Sequence, residues 1–209
     1  MVAQINLPLI LAAALLAVAS PGPATLAIAG TSMSNGRLIG LAMASGVTTG
    51  SLIWSIAAGC GLSALMLANA WALEAIRYFG AAYLLYLAFK SGHSALSRKS
   101  LTPQGLAMAS PTRAYAKGLA LHLTNPKAIL FFGSLYSFGV SASASFGDIA
   151  EIVAAVGAQS FLILHGYALL FSSAPIVRGY VRARRWFEGA FAVAFGLAGL
   201  KILSAKFQS

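Results

Sequence analysis

Two short stretches, Ser20-Pro21-Gly22-Pro23 and Asn125-Pro126-Lys127, interrupt segments that are otherwise apolar. Proline lacks a backbone N–H and clashes with the preceding turn, so an ordinary membrane helix avoids it. Two such interruptions, about half a chain apart, point to a binding site built where helices break.

The sequence around them is that of an integral membrane protein. Of 209 residues, 59% are hydrophobic and 9% charged, with a mean hydropathy of +0.82. Soluble domains carry about 25% charged residues. The apolar runs exceed the ~20 residues needed to cross hydrocarbon. They lack strict two-residue alternation, which excludes a transmembrane β-barrel. Backbone groups in lipid must be satisfied internally, so the expected class is all-α. The net charge of +10 falls in short loops between apolar segments. It therefore reads as a topology signal rather than a nucleic-acid footprint. The single cysteine, Cys60, reads as a small packing residue. Ala17-Val18-Ala19 resembles a signal-peptide cleavage site. Residues 1–10 contain no Lys or Arg, however, so a retained first span is expected.

The apolar segments predict six transmembrane helices, at about 4–34, 38–68, 72–91, 114–139, 148–173 and 186–205. Helices 1 and 4 carry the proline breaks. Gly36 and Gly40, then Gly46 and Gly50, stand four apart, a spacing that lets helix backbones approach closely. A polar stretch at about 92–113, with Arg98, Lys99, Pro103, Gln104, Pro111 and Arg113, divides the chain. The expectation is a single domain over 1–209, with one repeat at about 1–91 and another at about 114–209. Three helices per repeat make the pair inverted. Tyr78-Phe79-Gly80-Ala81 and Phe89-Lys90 in helix 3 find counterparts in Trp186-Phe187, Gly189-Ala190 and Leu200-Lys201 of helix 6. Ten basic residues fall on one side (Arg37, Lys90, Arg98, Lys99, Arg113, Lys117, Arg178, Arg182, Arg184 and Arg185) and three on the other (Arg77, Lys201 and Lys206). The ten-residue side is expected in the cytoplasm, with both termini outside.

Asn is a favoured N-cap and Pro a favoured first helical residue, so Asn125-Pro126 reads as a helix start inside a helix. Ser20-Pro21 has the same form, and Gly22-Pro23 adds a second break. Each break leaves downstream backbone donors unpaired, and these favour an anion. Lys127 lies about ten residues beyond Lys117, or ~15 Å at helical rise. A lysine at that depth faces a cavity or partner, or else snorkels. The sequence offers no acid at comparable depth, so the substrate itself is the expected counter-charge. Thr25 can donate to a carboxylate or to its own backbone. His122, one turn before Asn125, and His165 are candidate proton carriers, or else packing residues. Gln159 is a further candidate for the same space. Trp54, Tyr83 and Tyr86 read as packing or interface residues. There is no HExxH, GxSxG, P-loop or paired intramembrane aspartate, so neither an enzyme nor a cofactor or metal site is expected.

Pro21-Gly22-Pro23, Gly80-Ala81-Ala82-Tyr83-Leu84-Leu85-Tyr86-Leu87, and Gly118 with Leu123-Thr124-Asn125-Pro126-Lys127-Ala128 and Phe131-Phe132 resemble the LysE/RhtB-type amino-acid exporters. The resemblance covers nearly the whole chain. It implies a bacterial inner-membrane exporter of an amino acid or related metabolite, driven by the proton gradient, with a homodimer as one possible assembly. It implies a substrate-binding role for Pro21, Gly22, Pro23, Asn125, Pro126 and Lys127. Many members of that family have an acidic residue directly after Pro-Gly-Pro, where this chain has Ala24. The residues alone leave two other readings open: a channel or facilitator for a small organic anion, and a non-transporting membrane assembly partner.

Overall fold

The computed structural model describes residues 6–20, 22–68, 70–97, 110–140 and 144–204. Pro21, Arg98, Lys99, Pro103, Gln104 and Lys206 lie outside the described residues, as do the side chains of Arg77, Pro126, Arg184 and Lys201. Within the described residues the architecture is helical: α1 (Leu7–Ala19), α2 (Pro23–Ala68), α3 (Ala70–Leu96), α4 (Pro111–Leu123), α5 (Pro126–Gly139), α6 (Phe146–Leu170) and α7 (Ala174–Ser204). Pro23–Gly61 and Phe146–Leu170 are long and apolar enough to cross a membrane, and Leu7–Ala19 and Lys127–Tyr136 are shorter apolar helices.

α2 is not one rod. Gly36 adopts φ 81°, ψ 177°, a region open essentially to glycine alone. It splits α2 into limbs of about 23–35 and 37–68. The chain folds back so tightly that a Cβ on Gly40 would strike the Ser32 side chain. Gly36 and Gly40 therefore build a turn, not the stripe between helices that their spacing predicts. Gly46 and Gly50 do meet another helix. A Cβ on Gly46 would strike the Tyr115 carbonyl of α4, and one on Gly118 of α4 would strike the Met43 carbonyl. A Cβ at Gly50 would lie 2.9 Å from that of His122.

Hydroxyls on α2 then tie its neighbours together. Ser51 meets His122 of α4 at 3.0 Å, Tyr115 donates to Thr49 at 3.1 Å, and Ser55 meets Tyr136 of α5 at 2.6 Å. Each such bond satisfies a polar group that burial would otherwise penalise.

Two apolar cores hold this part of the bundle. In one, Ile10 and Ala14 of α1 pack with Phe132 and Leu135 of α5 and Ile152 and Val156 of α6. In the other, Ile28, Met43 and Val47 of α2 meet Ala114 of α4 and Leu164 of α6. A third core joins Ala81, Leu84 and Leu87 of α3 to Phe191 and Phe195 of α7. The α3–α7 pair thus forms its own layer beside α1 and α5.

α7 begins at Ala174, earlier than the expected 186. Its first turns carry Arg178, Arg182 and Arg185, all exposed. Arginine is a good helix former, so charge ends the apolar run without ending the helix. Arg185 Nε donates to the Ala95 carbonyl at 2.9 Å, fastening this polar part of α7 to the end of α3.

Candidate functional site

At the first break, Ser20 ends α1. Its N–H donates to the Leu16 carbonyl at 3.0 Å, and its hydroxyl donates to the Ala17 carbonyl at 3.2 Å. α2 opens at Pro23, and the Leu26 N–H donates to the Gly22 carbonyl at 2.9 Å. The helix start is therefore Gly22-Pro23 rather than Ser20-Pro21, because the groups of Ser20 are engaged with α1. The Thr25 hydroxyl donates to the Ser20 carbonyl at 3.4 Å, which favours the local role among the two open for it.

The second break has the expected form. Asn125 is the N-cap of α5, its side-chain oxygen accepts the Lys127 N–H at 3.0 Å, and Pro126 follows. The N–H groups of Ala128 and Ile129 both donate to the Asn125 carbonyl, at 2.9 and 3.2 Å. The first-turn donors of α5 are thus engaged inside the helix. The expectation that they stand open for an anion does not hold at this break.

The positive charge here comes from Lys127, and its side chain joins the two breaks. Its ammonium donates to the Ala17 carbonyl at 3.2 Å and to the Ser20 hydroxyl. The last carbonyls of a helix carry partial negative charge, so α1 supplies a partner that the sequence did not reveal. The lysine is held inside the bundle rather than snorkelling. Gly22 lies beside it, and a Cβ there would sit in ordinary contact, 3.4 Å from the Lys127 nitrogen. An ammonium has three donors, and two are used here.

Two cavities meet at these residues. A narrow one of about 50 Å³ is lined by Ser20, Gly22, Thr25, Ser51, His122, Asn125 and Lys127. A wide one of about 590 Å³ shares Ser20, Gly22, Asn125 and Lys127. It continues past Tyr83, Tyr86, Lys90 and Ser94 of α3 and Glu188 of α7, so it lies between the breaks and the α3–α7 layer. Small-molecule sites commonly span ~300–1,000 Å³.

The structure brings Gly22, Pro23, Thr25, His122, Asn125 and Lys127 to these cavity walls. It does not bring His165 there. That imidazole meets Ser45 at 3.0 Å and the Phe161 carbonyl at 2.9 Å, with its ring 4.0 Å from that of Phe161, which is half exposed. His122 contacts Ser51 through Nε2, while its buried Nδ1 has no hydrogen-bond partner. Gln159 donates to the Leu11 carbonyl at 3.1 Å and lines neither cavity.

Sequence reasoning missed the wall formed by α3 and α7. Tyr83 and Tyr86 face the wide cavity instead of only packing, their ring centroids 6.1 Å apart. Lys90 lies over Tyr86, its nitrogen 6.0 Å from the ring centroid. Glu188 is 4% exposed and accepts from the Ser94 hydroxyl at 2.9 Å. It is an acid on the same wall as Lys127, which corrects the expectation that none is near. Its signal was one of only four acidic residues, masked by its closeness to Arg184 and Arg185.

The match to the LysE type translocator family runs over residues 15–206. The chain belongs to that family. As a LysE-type translocator it is a membrane transporter and not an enzyme. The threonine efflux protein of Escherichia coli K12 is 29% identical over 92% of this chain and 94% of its own length. The leucine efflux protein of Enterobacter sp. strain 638 is 32% identical over 79% of this chain and 77% of its own. An uncharacterized membrane protein of Pseudomonas aeruginosa is 30% identical over 81% and 80%. No solved structure matches this translocator.

Proposed function

We propose that this LysE-type translocator is a secondary exporter of amino acids across a bacterial inner membrane, with its substrate site at the two helix breaks. The observation that carries the reading is Lys127, held between both breaks on the wall of a cavity of about 590 Å³. Gly22, Pro23, Thr25, Asn125 and Pro126 shape that site, together with Pro21, which lies outside the described residues. Efflux relatives named for threonine and leucine support an amino-acid substrate.

The proposed architecture is one domain over 1–209 with six membrane crossings. Two inverted repeats, about 1–91 and 114–209, are joined by a cytoplasmic segment at about 92–113. The matching element series supports this. α1 and α4 each have 13 residues, each precedes a break, and each is followed by a short helix or limb and two long helices. The basic loops face the cytoplasm and the termini face outward. Arg37 reaches Ser172 beside the turn between α6 and α7, as expected if those two basic loops share a side.

In this account an amino acid enters the wide cavity from the cytoplasm and presents its carboxylate to Lys127 and to the start of α2. Gly22 brings no side-chain oxygen to cap that start. The repeats then rock to release the substrate outward, driven by proton entry, with His122 as the nearer of the two candidate carriers. A homodimer is compatible with the fold. The size of the cavity speaks against the assembly-partner reading, whose signature is a dry, closely packed space around both breaks.

The test is counterflow in proteoliposomes against an amino-acid panel, with and without a pH gradient. The account expects saturable exchange of at least one amino acid and faster export when protons can flow inward. Flux that follows only the gradient of a small anion, with no counterflow, would favour the channel reading.

A further inference from the structure

We infer that Glu188 receives the ammonium end of the substrate while Lys127 attends its carboxylate. The inference rests on the amino-acid reading above. A carboxylate within a membrane bundle is costly unless it faces a cavity or a partner. Glu188 is 4% exposed, yet it lies on the wall of the wide cavity. Ser94 of α3 donates to its Oε1 at 2.9 Å, fixing the carboxylate between α3 and α7. Among the described residues Glu188 is the one acid on that wall, and Lys127 and Lys90 are the cations.

The cavity therefore presents both signs of charge on one continuous surface. A zwitterion matches both, whereas a simple anion or an amine matches one. Tyr83 and Tyr86 line the same wall, with Lys90 over the Tyr86 ring. A charge-assisted bond from ammonium to carboxylate is stronger than a neutral one. Glu188 is thus a specificity-determining group supplied by α7, far in sequence from either break. The alternative is a tie that merely fastens α7 within the bundle, through Ser94 and the further partners that Glu188 has. Such a tie predicts equal loss for every ligand when it is cut.

The experiment uses the full chain in proteoliposomes and the amino acid that gives the strongest counterflow. Its competitors carry the same side chain: the 2-hydroxy acid, which lacks the ammonium, and the primary amine, which lacks the carboxylate. The wild-type protein should prefer the amino acid over the hydroxy acid by about 10- to 100-fold, the range expected for a bond to a charged group. Glu188→Gln should bring that preference down to within about threefold while the hydroxy acid competes as before. Glu188→Asp should retain most of the preference, and Ser94→Ala should reduce it in part. Should Glu188→Gln fail to reach the membrane, Ser94→Ala and Glu188→Asp decide by the same ratio. Loss of both ligands by one common factor, or an unchanged ratio, would overturn the assignment. Wild-type protein that exchanges no amino acid would instead overturn the exporter reading on which it rests.

Discussion

The two breaks perform different tasks, although both rest on proline. The second is closed upon itself. Asn125 caps α5, and the N–H groups of Lys127, Ala128 and Ile129 all find acceptors within that turn. The first is built differently. Ser20 turns back onto α1, and α2 starts behind a glycine that carries no capping side chain. The charged residue sits at the break capped by Asn125, and its partners, the Ala17 carbonyl and Ser20 hydroxyl, sit at the other. Neither break makes the site alone. The difference teaches that a pair of breaks can share one charge: one supplies the cation, the other the acceptors that hold it.

The largest effect should come from removing the element that joins the breaks. Lys127→Ala is expected to lower counterflow by about 10- to 100-fold, the scale of a lost charge-assisted contact, with the protein still present in the membrane. Flux equal to wild type would separate the breaks from transport altogether. Next comes a change away from the site. Gly118→Val places a side chain against the Met43 carbonyl, where α2 and α4 nearly touch. It should destabilise the bundle by about 1–3 kcal/mol, as overpacking does, read as a lower melting temperature in detergent.

A smaller effect sharpens the contrast between the breaks. Asn125→Ala removes the cap of α5 and should cost about 1 kcal/mol, whereas Asn125→Asp keeps a capping oxygen and should lie closer to wild type. If both variants melt like wild type, the Asn125 cap does not set the second break apart from the first. The smallest effect belongs to His165→Gln. His165 lines neither cavity, so counterflow should stay within about twofold, the scale of a surface change. A larger loss would bring His165 itself into the site.

Much of this was legible in the sequence because proline acts locally. A missing N–H and a fixed φ end a helix whatever surrounds it, so Pro23 and Pro126 mark their breaks without tertiary information. The composition likewise dictates helices, since lipid offers backbone groups no partners. What escaped reading depends on tertiary neighbours. Gly36 and Gly40 have the spacing of a packing stripe, and only the backbone angles reveal a hairpin turn. Lys127 lacked a visible partner because the end of α1 provides it, through the Ala17 carbonyl and the Ser20 hydroxyl. Glu188 was hidden because α7 starts at Ala174, placing the acid well inside the helix rather than at its mouth. Tyr83 and Tyr86 fit a packing role by type, and which way they face is decided by α7 against α3.

The central claim is that substrate occupies the wide cavity against Lys127, and cysteine protection tests it directly. Cys60 is the single native cysteine, so Cys60→Ala with Ser91→Cys places one thiol on the cavity wall. The rate of its labelling by a small charged thiol reagent is then measured with and without the amino acid that gives the strongest counterflow. The account predicts that saturating amino acid slows labelling several-fold, and that adding Lys127→Ala abolishes the protection. Labelling that ignores the amino acid in a protein still capable of counterflow would contradict it.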